Sequence, residues 1–147
     1  MKNVKILGAT LLSKEEAETL LTQEEREYFE SNGGWWLRSP GDDFYFTCYV
    51  YIDGYVTSYY YTYRTDVSVR PALKIDISNS DIELGDTFTF GGKEFKILTP
   101  ELAWMYNDDI GKCAFREDWE ALNANMYEAS DVKKFVDAWF TKVLKEE

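Results

Sequence analysis

Histidine is absent from this chain of 147 residues. That removes the commonest general base, every Ser-His or Cys-His dyad and every histidine metal ligand together. Cysteine is nearly as scarce. Only Cys48 and Cys113 occur, in segments expected to form different elements, and free buried thiols are expected rather than a disulfide. Positive charge is also in short supply: 16 Lys and Arg stand against 27 Asp and Glu, a formal net charge of −11. A nucleic-acid backbone is therefore not expected as a direct partner, because binding it depends on clustered Lys and Arg. A basic protein partner, or a nucleic-acid-mimicking role, is compatible with the same balance. Long apolar runs are missing too. The opening MKNVKILGATLLSKEEAE breaks its apolar stretch at Gly8 and Thr10, a poor signal peptide, and no later segment approaches membrane-spanning length. Cytoplasmic residence without membrane insertion is the expectation, with release by a signal-independent route still open.

Catalytic constellations are thin as well. Gly91-Gly92 lacks the further glycines and the lysine of a phosphate-binding loop. Adjacent acids at Asp42-Asp43, Asp108-Asp109 and Glu117-Asp118 read as solvated turn or cap residues. Asp76, Asn79, Asp81 and Glu83 could gather around a Ca²⁺, but their spacing lacks the glycine and the twelfth-position glutamate of an EF-hand. No catalytic residue, cofactor or metal is expected.

Tyrosine is what the chain has in excess. The stretch from Phe44 to Arg64, FYFTCYVYIDGYVTSYYYTYR, holds eight of its eleven tyrosines. A tyrosine ring gives rigid contact area at low entropic cost and carries a polar tip, which is why binding surfaces are enriched in it. The stretch is expected to form a β-hairpin. A two-residue Asp53-Gly54 turn would set Val50 on the same side as Thr57. A three-residue loop, Ile52-Asp53-Gly54 with Gly54 in the left-handed conformation, instead sets Val50 opposite Val56 and Cys48 opposite Ser58. The second register is preferred, because it sorts small and aliphatic residues onto one face and Tyr49, Tyr51, Tyr55, Thr57 and Tyr59 onto the other. The run from Tyr60 to Asp66 then has too many rings for one buried face, so several are expected to be exposed.

The remainder reads as one domain spanning 1–147. After a short strand at Val4 to Leu7, Ser13 with Glu16 and Thr22 with Glu25 form two capping boxes. They predict a helix from about Lys14 and a second short one carrying Arg26, Tyr28 and Phe29 toward the break at Asn32 to Gly34, which ends a helical part at 1–32. Aromatic and β-branched residues at 33–77, punctuated by Pro40-Gly41, Asp53-Gly54 and Pro71, predict short antiparallel strands. Asn79 to Gly85 reads as a connector. Phe88, Phe90, Phe95 and Ile97 alternate about Gly91-Gly92, which predicts a second hairpin within 82–98. Residues 99–147 are expected to be helical. Ser130 caps a helix on which Val132, Phe135, Val136, Trp139, Phe140, Val143 and Leu144 fall at i, i+3, i+4, i+7, i+8, i+11 and i+12.

The blocks Gly33-Gly34-Trp35-Trp36-Leu37-Arg38-Ser39-Pro40-Gly41, then Tyr49-Val50, Asp53-Gly54 and Val56, then Val69-Arg70-Pro71-Ala72-Leu73, resemble a bacterial and prophage domain family of unknown function marked by WWLRSPG and VRPAL. In that family a segment similar to GDTFTFGGKEFKIL usually precedes these blocks, so this chain resembles a circularly permuted version. More distantly, the tryptophan-rich strand, variable stretch and closing V-R strand resemble the C-type lectin fold. That resemblance extends to the branch shared with formylglycine-generating enzymes and with the variable proteins of diversity-generating retroelements.

The resemblance implies an α+β, C-type-lectin-like fold of short antiparallel strands packed with two to four helices. It also implies a scaffold of Trp35, Trp36, Leu37, Arg38, Ser39, Val69, Arg70, Pro71 and Ala72, with Arg38 and Arg70 in buried hydrogen bonds or ion pairs. Asp42 to Phe46 and Tyr51 to Asp66 would be the part that varies. Phe44, Tyr51, Tyr55, Tyr59, Tyr60, Tyr61, Tyr63 and Arg64 are the expected ligand-binding residues of a non-enzymatic module for a protein or surface-polymer ligand. The alternative is an acidic phage inhibitor that competes for the basic groove of a host nucleic-acid-binding protein. Oligomeric state is left open.

Overall fold

The computed structural model describes residues 4–31, 33–77 and 81–146. Among them, strands β1 (Lys5–Thr10), β5 (Ala72–Asp76), β8 (Leu102–Met105), β7 (Lys93–Thr99) and β6 (Thr87–Phe90) form an antiparallel sheet in the order β1-β5-β8-β7-β6. A second antiparallel sheet joins β2 (Trp35–Pro40), β3 (Phe46–Val50) and β4 (Val56–Tyr61). With helices α1 (Lys14–Leu20), α2 (Gln23–Arg26) and α3 (Asp131–Glu146), the chain is α+β and mostly antiparallel.

Local chemistry sets the helix ends. In α1 the Ser13 hydroxyl accepts from the Glu16 amide while the Glu16 carboxylate accepts from the Ser13 amide, and Thr22 and Glu25 repeat the exchange at α2. The second helix stops at Arg26, earlier than expected. The Arg26 carbonyl is taken by the Trp35 indole N–H at 3.0 Å, and the Tyr28 amide donates to the Ile52 carbonyl at 2.9 Å, so tertiary bonds replace the next helical turn. Ser130 caps α3 by accepting from the Lys133 amide at 3.0 Å. The apolar stripe of α3 buries Val132, Val136 and Val143, whereas Leu144 is exposed.

Alternation along β2 distributes two tryptophans to two cores. Trp35 and Leu37 join α1, β3 and β8 residues between the sheets, where Trp35 meets Trp104 at 5.4 Å between ring centroids. Trp36 points the other way, to Leu11, Val69, Phe115 and Val136. A third cluster packs Trp139 and Phe140 of α3 onto Leu73, Phe90, Phe95 and Ile97. The Gly91-Gly92 hairpin forms as expected, with both glycines at positive φ (61° and 75°).

Two expectations about strands are also corrected. Leu102–Met105 is a strand rather than part of a helical segment at 99–147, paired with β5 on one side and β7 on the other. All four residues are buried, Leu102 and Trp104 facing one core and Ala103 and Met105 the next, so pairing and two-sided burial override the helix preference of Leu, Ala and Met. The expected first strand, Val4 to Leu7, runs instead over Lys5–Thr10, with an irregularity between Ile6 and Gly8. The considered cation ligand Asn79 lies outside the described residues. Among those described, no group of three or more His, Cys, Asp or Glu is placed to hold a metal ion. Cys48 and Cys113 are free thiols.

Candidate functional site

The tyrosine hairpin turns through the three-residue loop. Val50 pairs with Val56, the Tyr51 amide donates to the Tyr55 carbonyl at 2.8 Å, and Gly54 sits at φ 89°. Two side chains from the α2 region fasten this loop: Arg26 Nε donates to the Gly54 carbonyl at 2.8 Å and Gln23 Nε2 to the Asp53 carbonyl at 3.2 Å.

Beyond Tyr49–Thr57 the register shifts, and Thr47 pairs with Tyr60 and Phe46 with Tyr61. The extra residue is on β4, a bulge that moves every later side chain across the sheet. The expected sorting of Tyr59 with Tyr49 is thereby overturned. Tyr60 takes that place, its ring 3.7 Å from Tyr49 and 5.8 Å from Trp36 between centroids, while Tyr59 meets Phe46 edge-on at 6.0 Å. Burial and the neighbouring phenols hold the Tyr49 hydroxyl's pKa well above the usual tyrosine value.

The exposed rings fall into two groups. Tyr51 and Tyr55 stand at the loop end of the hairpin, 42% and 64% exposed. At the other end a row of rings runs from Tyr45 to Tyr61 (6.3 Å), Tyr63 (5.2 Å) and Trp119 (6.0 Å), flanked by Phe44, Phe46 and Tyr59. Tyr59, Tyr61, Tyr63 and Trp119 are exposed, and Phe44 is half-buried with its ring edge-on to Tyr45. Arg64 pairs with Asp66 at 3.0 Å and lies over the Tyr60 ring at 5.5 Å. Of the eight residues expected from the sequence, Tyr59, Tyr61, Tyr63 and Phe44 therefore share one patch, Tyr51 and Tyr55 another, and Tyr60 is half-buried beneath Arg64.

Trp119 escaped the sequence reading, whereas Tyr45 and Phe46 fell within the stretch expected to vary but not among the expected ligand-binding residues. Trp119 sits in an irregular segment that is brought to the hairpin by the Arg116 amide, which donates to the Thr62 carbonyl at 2.9 Å. Asn125 adds a second clamp through Nδ2 to the Asp43 carbonyl, also at 2.9 Å. No local pattern in REDWEALNAN signals these bonds. Acidic groups touch the rings. The Asp43 charge raises the Tyr45 phenol's pKa, and a hydrogen bond to Asp42 raises that of Tyr59.

The scaffold arginines differ from each other. Arg38 donates to the Leu11 carbonyl and the Glu16 carboxylate, both at 2.6 Å. Arg70 is buried against the rings of Tyr28 (4.3 Å), Trp104 (4.3 Å) and Trp35 (4.9 Å) and donates from Nε to the Asp108 carbonyl at 3.0 Å. Its burial pulls its pKa down to about 10. Neither cysteine is an activated thiolate: burial pushes Cys48 up, and pushes Cys113 up to about 12. A separate cleft of about 820 Å³ opens beside α1 among Thr10, Glu16, Arg38, Lys74, Glu101 and Tyr127, away from the tyrosine rows.

Fold and surface together define an α+β protein of mostly antiparallel strands that carries an exposed aromatic patch on one hairpin. Residues 7–77 match the family described as "Domain of unknown function (DUF6273)". The match runs from within β1 to the end of β5, includes the whole hairpin sheet, and stops short of β6 to β8, the Trp119 segment and α3. No curated protein and no solved structure matches the chain. Among the described residues no helix is long and apolar enough to cross a membrane.

Proposed function

We propose that this chain is a non-enzymatic recognition module, C-type-lectin-like and mobile-element encoded, acting in the cytoplasm or after release. Its ligand is a protein or surface polymer. The observation that carries the reading is the unbroken row of rings from Tyr45 through Tyr61 and Tyr63 to exposed Trp119. Large exposed apolar patches mark interaction sites. Backbone bonds hold the row in place before any ligand arrives, which lowers the ordering cost of binding. The WWLRSP and VRPAL blocks serve as scaffold, and the Asp42 to Asp66 stretch between them is the part open to variation.

Sequencing this gene and its close copies across a population of the source bacterium tests the proposal. Substitutions concentrated between Asp42 and Asp66, with the flanking blocks unchanged, are expected. An even spread of variation would overturn the reading. In parallel, replacing Tyr59, Tyr61 and Tyr63 together by Ala should cost only about 0.5 kcal/mol per site, as surface positions do, and a collapse of the melting transition would make these rings structural.

A further inference from the structure

The aromatic row has an acidic rim. Asp42 and Asp43 are exposed beside its Tyr59 and Tyr45 end, and Glu117, Asp118 and Glu120 are exposed around Trp119. The arginines carried by the same segments are already engaged. Arg64 is paired with Asp66, and Arg116 donates to the Ala129 carbonyl at 2.8 Å and stands 3.8 Å from Asp118. Excess negative charge therefore surrounds electron-rich ring faces.

Two properties of such a surface select the same ligand charge. Tyrosine and tryptophan faces attract cations through the ring quadrupole, and rim carboxylates attract them by charge. The molecule already uses the first attraction internally, with Arg64 over Tyr60 and Arg70 among three rings. A neutral sugar polymer could use the rings and hydrogen-bond to the carboxylates but carries no positive charge for the rim to attract, and a nucleic-acid backbone would be repelled. Building on the recognition reading above, we propose that the partner is a basic polypeptide segment. Its arginine or lysine side chains lie over Tyr59, Tyr61, Tyr63 and Trp119 and pair with the carboxylates of the rim.

The probe is an acetylated, amidated peptide of four Gly-Arg repeats, compared with its Gly-Glu counterpart and with chitohexaose. Binding is followed by NMR on the Trp119 indole and the tyrosine ring signals. The arginine peptide is expected to shift them, and Tyr61→Ala is expected to weaken it about tenfold. The double variant Asp42→Asn, Glu120→Gln should do the same. Glu15→Gln with Glu18→Gln, which removes equal charge from exposed positions of α1, should leave binding unchanged. Equal weakening by both double variants would reduce the effect to attraction by net charge and overturn the inference. Ring shifts with chitohexaose or the Gly-Glu peptide but not with the arginine peptide would overturn the basic partner while leaving the recognition surface standing. With no ring shifts from any probe, the inference and the reading under it both fail.

Discussion

The Tyr60 ring lies flat on Tyr49, 3.7 Å between centroids and 15° between planes, and both rings rest against Trp36. The β4 bulge creates this stack by sending Tyr60 inward and Tyr59 outward. Neighbouring tyrosines therefore have opposite roles. Tyr60→Ala removes a packed ring and should cost about 2–4 kcal/mol. Tyr59→Ala, 64% exposed, should stay within about 0.5 kcal/mol. Urea unfolding of the two single variants checks this, and equal losses would mean that the two rings pack alike.

Arg70 is expected to tolerate an apolar replacement better than a conservative one. Its guanidinium is held among Tyr28, Trp35 and Trp104, and burial outweighs the nearby phenol and carboxylates to pull its pKa down to about 10. Lysine keeps the cost of burying a charge while losing the planar stack, so Arg70→Lys should cost about 3 kcal/mol. Methionine fills the cage with a polarizable thioether, so Arg70→Met should cost roughly half as much. Thermal denaturation ranks the two, and the reverse order would mean that the positive charge itself holds the rings.

Much of this architecture was legible in local patterns. Both capping boxes, the Gly91-Gly92 turn and the three-residue hairpin loop depend on residues within a few positions of each other, and all of them form. The misses depend on partners far along the chain. Leu102–Met105 shows no period because both its faces are covered, Trp119 reaches the tyrosines only through the bond from Arg116 to Thr62, and Arg70, expected to be buried and hydrogen-bonded and found so, has a cage of Tyr28, Trp35 and Trp104 that no local pattern announces. The bulge on β4 has no glycine to announce it, which is why the ring faces were sorted wrongly past Thr57.

Gly54 ties the hairpin to α2, and the site should not accept a side chain. Its φ of 89° disfavours any L residue, and a Cβ there would run into the Gln23 carbonyl oxygen. Gly54→Ala should cost about 2 kcal/mol or more, since backbone strain and the clash add. Hydrogen exchange should show the loss locally, as faster exchange at the Tyr51 amide and at the Tyr28 amide that donates to the Ile52 carbonyl. Unchanged protection at both would mean that the loop moves freely of α2.

Acid should loosen the protein at Glu16, which joins α1 to β2. Burial by itself raises the Glu16 carboxyl's pKa, but the bonds from Arg38 and from the Ser13 amide outweigh it and leave the group below its ordinary value of 4.5. The unfolded chain therefore binds the proton more readily than the native one. Stability from this group is complete above about pH 5 and drains away as the pH falls through the lowered native value. Glu16→Gln should cost about 1–2 kcal/mol at pH 7, where a charge-assisted capping bond is lost, and progressively less as the pH falls through the lowered native value and the wild-type carboxyl itself takes up a proton. Comparing the two proteins at each pH cancels the self-repulsion of the other carboxylates. A difference that stays constant as the carboxyl is titrated through the acid range would show that Glu16 acts through packing rather than through its charge.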